Sequence, residues 1–435
     1  MYEVFVGIDF GSANSGFAYS FKDTNNINHG NIYGANVDNK VPTEIILDDN
    51  NQVVQFGAGC IQYLKEKGLE NGHYFKDIKM NLYKKKEKII AKNSKKELPL
   101  KLVITKVLES IKEIAIKEIN TKRPHLRKDE IKWIVTIPAI WSEYEKNIMM
   151  EASIDSGLID KNSDKSLFFA LEPEAASLYC SINKDIDRKY FNEGEYYIVC
   201  DLGGGTGDIV AHLVGNNNHL NEIYPSCGGQ YGSNEIDRLI YEEIILSLFH
   251  CKDFNNFYLK YRKYNKDEID DKGELFSDWS ELERQIKNFK EVITIKKVEN
   301  NEKYPINFSL FKDIFNEDVE INNLVNEYNG NIYEKELYLN TKKSKNKWII
   351  EFPYKIIYKF MKNQADSICK IINNILNKEN IKTIIFVGGY CYSEVLLELI
   401  KKGLNSGLIY LQPTRPCLAI MEGAVLFGKN IVLLI

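Results

Sequence analysis

Apolar positions along this chain gather into two kinds of segment. The first kind is short and unbroken. Val4–Ile8, Tyr197–Cys200 and Thr383–Val387 are runs of this type, and each stops at an aspartate or a glycine pair. Runs of this length bounded by turn residues read as strands buried on both faces. The second kind is longer and spaced. Ile104, Val107, Leu108, Ile111, Ile114, Ala115 and Ile119 put one apolar stripe on a helix over Leu100–Asn120. Ser142 with Glu145 is a capping box that opens a helix over Ser142–Ser156, closed by Gly157. Further helices are expected over Cys60–Lys67, from Glu172 to Cys180, after Ser233, and over Tyr354–Asn377, Ser393–Lys401 and Pro416–Phe427. Further strands are expected at Phe17–Ser20, Pro42–Leu47, Val53–Phe56, Glu130–Ile137, Phe168–Leu171 and Asp208–Val214. Tyr83–Glu97, polar and basic, reads as a loop or an exposed insertion, and Lys184–Glu195 as a connector. Between Lys252 and Lys347 the pattern gives helices near Phe254–Tyr264 and Trp279–Lys290, then hairpin strands to Ile350. Strands alternating with helices in both halves place the chain in the α/β class.

Two strand ends repeat one design. Val4–Asp9 runs into Phe10-Gly11-Ser12, and Tyr197–Asp201 runs into Leu202-Gly203-Gly204-Gly205-Thr206-Gly207-Asp208. Glycine lets a backbone approach a phosphate closely, and successive N–H groups in such a turn form an anion-binding nest. The hydroxyls of Ser12 and Thr206 can donate to phosphate oxygens. Carboxylates repel phosphate, so Asp9 and Asp201 make sense beside a phosphate chain when a hard cation lies between, and Mg²⁺ has that preference. A single loop of this kind is equally an ordinary Asp-Gly turn. The pair argues for a duplicated fold whose halves converge on one ligand.

The bulk numbers narrow the class. At 435 residues the chain is too long for one core. It carries 57 basic and 61 acidic residues, a formal net charge of −4, which gives no footprint for nucleic acid. No segment has the length to span a bilayer. The eight cysteines form no CxxC pair and read as buried hydrophobes in a reducing, cytoplasmic compartment. There is no GxGxxG after a strand and no GxxxxGK[ST], which removes the dinucleotide and P-loop readings.

In order and spacing these motifs resemble the actin-like ATPase superfamily, with its ribonuclease H-like fold, and within it the seventy-kilodalton heat-shock chaperones. The matching elements are the two phosphate loops, Glu172-Pro173-Glu174-Ala175-Ala176, Gly228-Gly229, Val387-Gly388-Gly389 and Thr136-Ile137-Pro138-Ala139. Glu172–Cys180 and Gly423–Gly428 look closest to the divergent type 12 branch. The resemblance implies two pseudo-symmetric lobes around a nucleotide cleft. Residues 1–190 would be lobe I, with an outer subdomain near 40–120, and 191–435 lobe II, with one near 233–350.

It also implies roles. Asp9 and Asp201 would hold hydrated Mg²⁺. Gly11, Ser12, Ala13, Asn14 and Gly203, Gly204, Gly205, Thr206 would wrap the phosphates of ATP, with Gly228, Gly229, Gly388 and Gly389 lining the site. Lys79 would reach the γ-phosphate, unless it is a surface lysine beside Lys76. Glu172, Thr206 and Asp208 would position the attacking water; each also suits a helix or turn terminus. Tyr392 stands where the chaperones carry a base-stacking arginine. Glu283 and Lys287 would contact ribose and adenine, or else form a solvated helix face. Ala13 and Asn14 replace a hydroxyl and an aromatic residue of the family.

No β-rich peptide-binding segment follows Gly428, so the expectation covers the nucleotide-binding part alone. The tail Ile431–Ile435 reads as an interdomain linker or a terminal strand. The function implied is slow Mg-dependent ATP hydrolysis as a chaperone-like switch, with an exchange factor or other protein partner. The alternative is a non-hydrolysing interaction module of the same fold. A small-metabolite kinase lacks a motif for its substrate base.

Overall fold

The structure, a computed structural model, describes residues 2–159, 167–216, 219–251, 271–308, 321–344, 347–378 and 380–430. The chain divides into two compact units. The first comprises Met1–Gly232, Lys370–Tyr392 and Asn405–Ile435; the second comprises Ser233–Cys369 and Ser393–Leu404.

Two sheets organise the first unit, and they share one plan. In one, Leu167–Leu171 lies parallel to Ile131–Ile137, which lies parallel to Val4–Asp9. Antiparallel Asn14–Phe21 and Asn28–His29 follow, and Val41–Pro42 pairs with Asn14–Phe21 off this path. In the other, Ile409–Leu411 lies parallel to Thr383–Val387 and this to Tyr196–Leu202, followed by antiparallel Gly207–Val214 and Leu220–Gly229. Strand order and strand sense coincide position by position, so Val4–Asp9 and Tyr196–Leu202 are equivalent central strands. Val4–Asp9 is buried along its whole length, which is why it reads as an unbroken apolar run.

The helices Glu172–Ile182 and Ala419–Asn430 pack on each other and join these layers. Ala175 belongs to one apolar cluster with Phe5, Ile134, Met421 and Val425, while its neighbour Ala176 belongs to another with Tyr197, Val199 and Ile385. Glycines set the closeness of fit. A Cβ on Gly423 would collide with the carbonyl of Ala175, and one on Gly7 would lie 2.7 Å from the carbonyl oxygen of Met421. The helix Leu100–Lys122 buries its predicted stripe in the largest cluster, together with Met149 and Ala152 of the capped helix Glu143–Asp155.

In the second unit, Lys303–Asn307 and Asn340–Ser344 flank Lys347–Pro353 in an antiparallel sheet. Helices Asp271–Glu291 and Ile321–Gly330 belong to the same unit. The segment after Ser233 is helical to Leu248, through a wide-turn stretch at Ile240–Ile245. Of the two expectations for Tyr83–Glu97, the plain loop fails. Lys88–Ile90 pairs with Glu97–Pro99, and Ile89 and Leu98 turn inward. Each strand turns a single residue inward, with Lys88 and Glu97 exposed beside them, which hid the hairpin. The helix expected near Phe254–Tyr264 and the tail Ile431–Ile435 lie outside the described residues. All eight cysteines are free, and no helix of the described residues is long and apolar enough to cross a membrane.

Candidate functional site

Both glycine loops lie in the first unit and face each other. A Cβ on Gly204 would sit 2.5 Å from that of Ala13, and one on Gly205 would lie 2.6 Å from Ser12 Oγ. Cross-bonds brace the first loop. Thr43 donates its backbone N–H to Ala13 O at 2.9 Å and its hydroxyl to Gly11 O at 2.8 Å, and Gly11 N–H donates to Ser15 Oγ at 3.2 Å. The second loop closes through Gly203 N–H to Thr206 O at 2.9 Å. Gly388, at φ +90°, brings the turn that follows Thr383–Val387 against Asp201, where a side chain would collide with Oδ1. Gly228 pairs with Asp208 across the sheet, and a Cβ there would lie 3.1 Å from Asp208 Oδ1.

Four buried carboxylates meet at these strand ends: Asp9, Glu172, Asp201 and Asp208. Glu172 opens its helix, and Pro173 is tolerated in the first turn. Oxygens of Glu172, Asp201 and Asp208 all lie within 4.8 Å of one another. Asp201 Oδ1 and Asp208 Oδ1 are buried without a hydrogen-bond partner. Burial and then the charges of Glu172 and Asp208 push Asp201 far above the ordinary carboxylate range. Burial and Glu172 push Asp208 up to about 7, although Lys79 and the Thr206 hydroxyl, 3.3 Å from its Oδ2, act the other way. Burial also raises Glu172. Orphaned, crowded carboxylate oxygens suit a hard divalent cation, so the residues present fit Mg²⁺.

Lys79 is 5% exposed, and its Nζ donates to Glu172 Oε1 at 2.7 Å. Burial alone would lower its pKa, but Glu172, Asp9 and Asp208 hold it above the ordinary lysine range. Lys76 is half-buried. Trp141, which the motifs did not single out, stacks 5.5 Å from the Lys79 ammonium.

A second buried lysine escaped the sequence reading. Lys40 Nζ donates to Asp9 Oδ2 at 2.5 Å and to Cys417 O at 2.7 Å. It sits in Asn36-Val37-Asp38-Asn39-Lys40, a polar stretch that looks like surface loop, and nothing in the spacing marks it. Four carboxylates therefore meet two ammonium groups, and full ionisation leaves two negative charges uncompensated. Nearby, Tyr392 is 48% exposed. Its hydroxyl donates to Asp38 Oδ1 at 3.1 Å, where Arg415 Nε also approaches at 3.4 Å. Glu283 and Lys287 belong to the second unit, on the exposed face of Asp271–Glu291, where Lys287 lies 3.9 Å from Glu291.

No protein-family model matches the chain. Curated proteins do. It is 24% identical to "Heat shock 70 kDa protein 12A" of Mus musculus over 500 aligned positions, covering 98% of this chain and 69% of that protein. It is 28% identical to "Heat shock 70 kDa protein 12B" of Homo sapiens over 313 positions, covering 57% of this chain and 45% of that protein. Over 129 positions, 29% of this chain and 19% of the relative, it is 26% identical to "Chaperone protein dnaK" of Trieres chinensis.

Proposed function

We propose that this chain, a divergent relative of the type 12 branch of the heat shock 70 kDa family, binds ATP with Mg²⁺ and hydrolyses it slowly, as a nucleotide-driven switch. The observation that carries the proposal is the meeting of two facing glycine loops, three clustered carboxylates and Lys79 in one unit. Glu172, Asp201 and Asp208 would hold the cation, which when bound supplies positive charge to phosphate oxygens. The backbone N–H groups of Gly11–Asn14 and Gly203–Thr206 would cradle the phosphate chain. Asp208, its Oδ2 fixed by the Thr206 hydroxyl, would orient the attacking water beside the cation. Lys79, oriented by Glu172, neutralises charge that develops on the transferred group. Loss of that group would remove what draws the loops together and alter the surface shown to a protein partner or exchange factor. Eight free cysteines accord with a reducing, cytoplasmic setting.

The non-hydrolysing module has one feature in its favour: Ala13 and Asn14 bring no hydroxyl to the first loop. Single-turnover hydrolysis of γ-labelled ATP with Mg²⁺ separates the two, run beside titrations of ATP and GTP. Slow phosphate release that vanishes in Asp208→Asn is expected. Tight binding with no release above the buffer blank would give the protein to the second reading.

A further inference from the structure

The family resemblance would make Asp9 a seat for the cation, but here it is already matched by a lysine. We infer that Lys40 is a phosphate-binding residue of this chain, a built-in cation held by Asp9 beside the first glycine loop. The inference rests on the nucleotide reading above and divides the labour within it. Glu172, Asp201 and Asp208 form the cation seat, and Lys40 serves the phosphates from the Asp9 side.

Four observations carry it. Lys40 is 5% exposed, and burying an ammonium costs several kcal/mol before pairing, about as much as the pair returns. A lysine kept there for stability alone gains little; a lysine kept to meet a polyanion is explained. Its ammonium donates to Asp9 and to the carbonyl of Cys417, and its remaining partner is the Cys417 thiol, a weak acceptor that a phosphate oxygen would outcompete. The backbone that carries it is continuous with the brace of the phosphate loop: Val41 pairs with Ser15, Pro42 with Asn14, and Thr43 bonds to Gly11 and Ala13. The fold also makes room for it. Asn39 adopts a left-handed φ of 57° immediately before Lys40, and a Cβ on Gly16 would lie 3.0 Å from Lys40 Cγ. In contrast with Asp9, the oxygens left unpartnered in the site belong to Asp201 and Asp208.

The test titrates the full chain with ATP and with adenosine, each in Mg²⁺ and in EDTA, for wild type, Lys40→Met and the double variant Asp9→Asn/Lys40→Met. Binding heat is the readout, so turnover does not enter. Wild type is expected to retain ATP binding in EDTA. Lys40→Met should lose about tenfold or more of that affinity, the scale of one charge-assisted hydrogen bond, with adenosine binding unchanged. The double variant removes the Asp9–Lys40 pair as a unit, so neither is left without the other, and it carries the test even if Lys40→Met fails to fold. It should show the same loss. Recovery of wild-type ATP affinity in the double variant would mean that Lys40 only neutralises Asp9, and would overturn the assignment. Equal ATP binding by wild type and Lys40→Met would overturn it as well, while leaving the nucleotide reading intact. Wild type that binds neither compound in Mg²⁺ sinks the nucleotide reading, and the assignment with it.

Discussion

Lys79 and Glu172 share one buried hydrogen bond, yet the two ends carry unequal weight. Removing one partner of a buried pair leaves an uncompensated charge and costs about 3 kcal/mol or more. Lys79→Met does this in a place where Asp9 and Asp208 already press on Glu172 and Lys79, so the full cost is expected. Glu172→Gln leaves Lys79 with Asp9 and Asp208 nearby and also removes the charge that raises Asp201 and Asp208. Its cost should be clearly smaller. Denaturant unfolding of both variants without ligand checks the order, and equal losses would refute it. The same contrast marks what was readable at this scale. Asp9 and Asp201 end apolar runs shortly before glycine, Glu172 opens a helix beside proline, and Asp208 follows glycine at the start of a strand, each a local signature. Lys79 had a rival in Lys76 until burial separated them. Lys40 has no local signature at all. Its environment is built by Asp9, 31 residues away, by Gly16 and by the carbonyl of Cys417.

Between elements, the contact of Glu172–Ile182 with Ala419–Asn430 decides where Glu172 points. Gly423 permits it, since a methyl group there would meet the Ala175 carbonyl, backbone that cannot swing aside. Gly423→Ala should therefore cost about 2 kcal/mol or more by overpacking. It should also weaken nucleotide binding, because Ala175 lies one helical turn from Glu172. A surface alanine substitution for comparison should do neither, and a Gly423→Ala protein as stable as wild type would show that the helices have slack. Strands that are buried on both faces announced themselves as unbroken apolar runs, and the long helices as stripes. The closeness of this helix pair did not show, because GAVLFG says only that glycine is present and not what it faces. Lys88–Ile90 and Glu97–Pro99 were missed for a related reason. One inward residue in each three-residue strand is too short a pattern to show a period.

For the protein as a whole, the carboxylate cluster makes stability depend on pH and on metal. Asp208 titrates near 7 when folded against an ordinary value of 3.8. The folded state therefore keeps a proton that the unfolded chain has lost. The stability this represents is complete below the unfolded value and disappears as pH rises through about 7. Asp201 and Glu172 shift in the same direction and add to the effect. Lys40 and Lys79 are raised above the ordinary lysine value, so their contribution is lost only in strong alkali, outside this window. Comparing wild type with Asp208→Asn in EDTA cancels the groups they share. The variant should gain on wild type by up to about 1.4 kcal/mol per pH unit between about pH 4 and 7, then level off. Excess Mg²⁺ should stabilise wild type more as pH rises and the cluster gives up protons, and should do less for the variant. If instead the two proteins run parallel across this range and Mg²⁺ moves neither, the cluster is a buried, protonated hydrogen-bonding group rather than a cation seat. The two uncompensated charges counted from the fold would then never be present together.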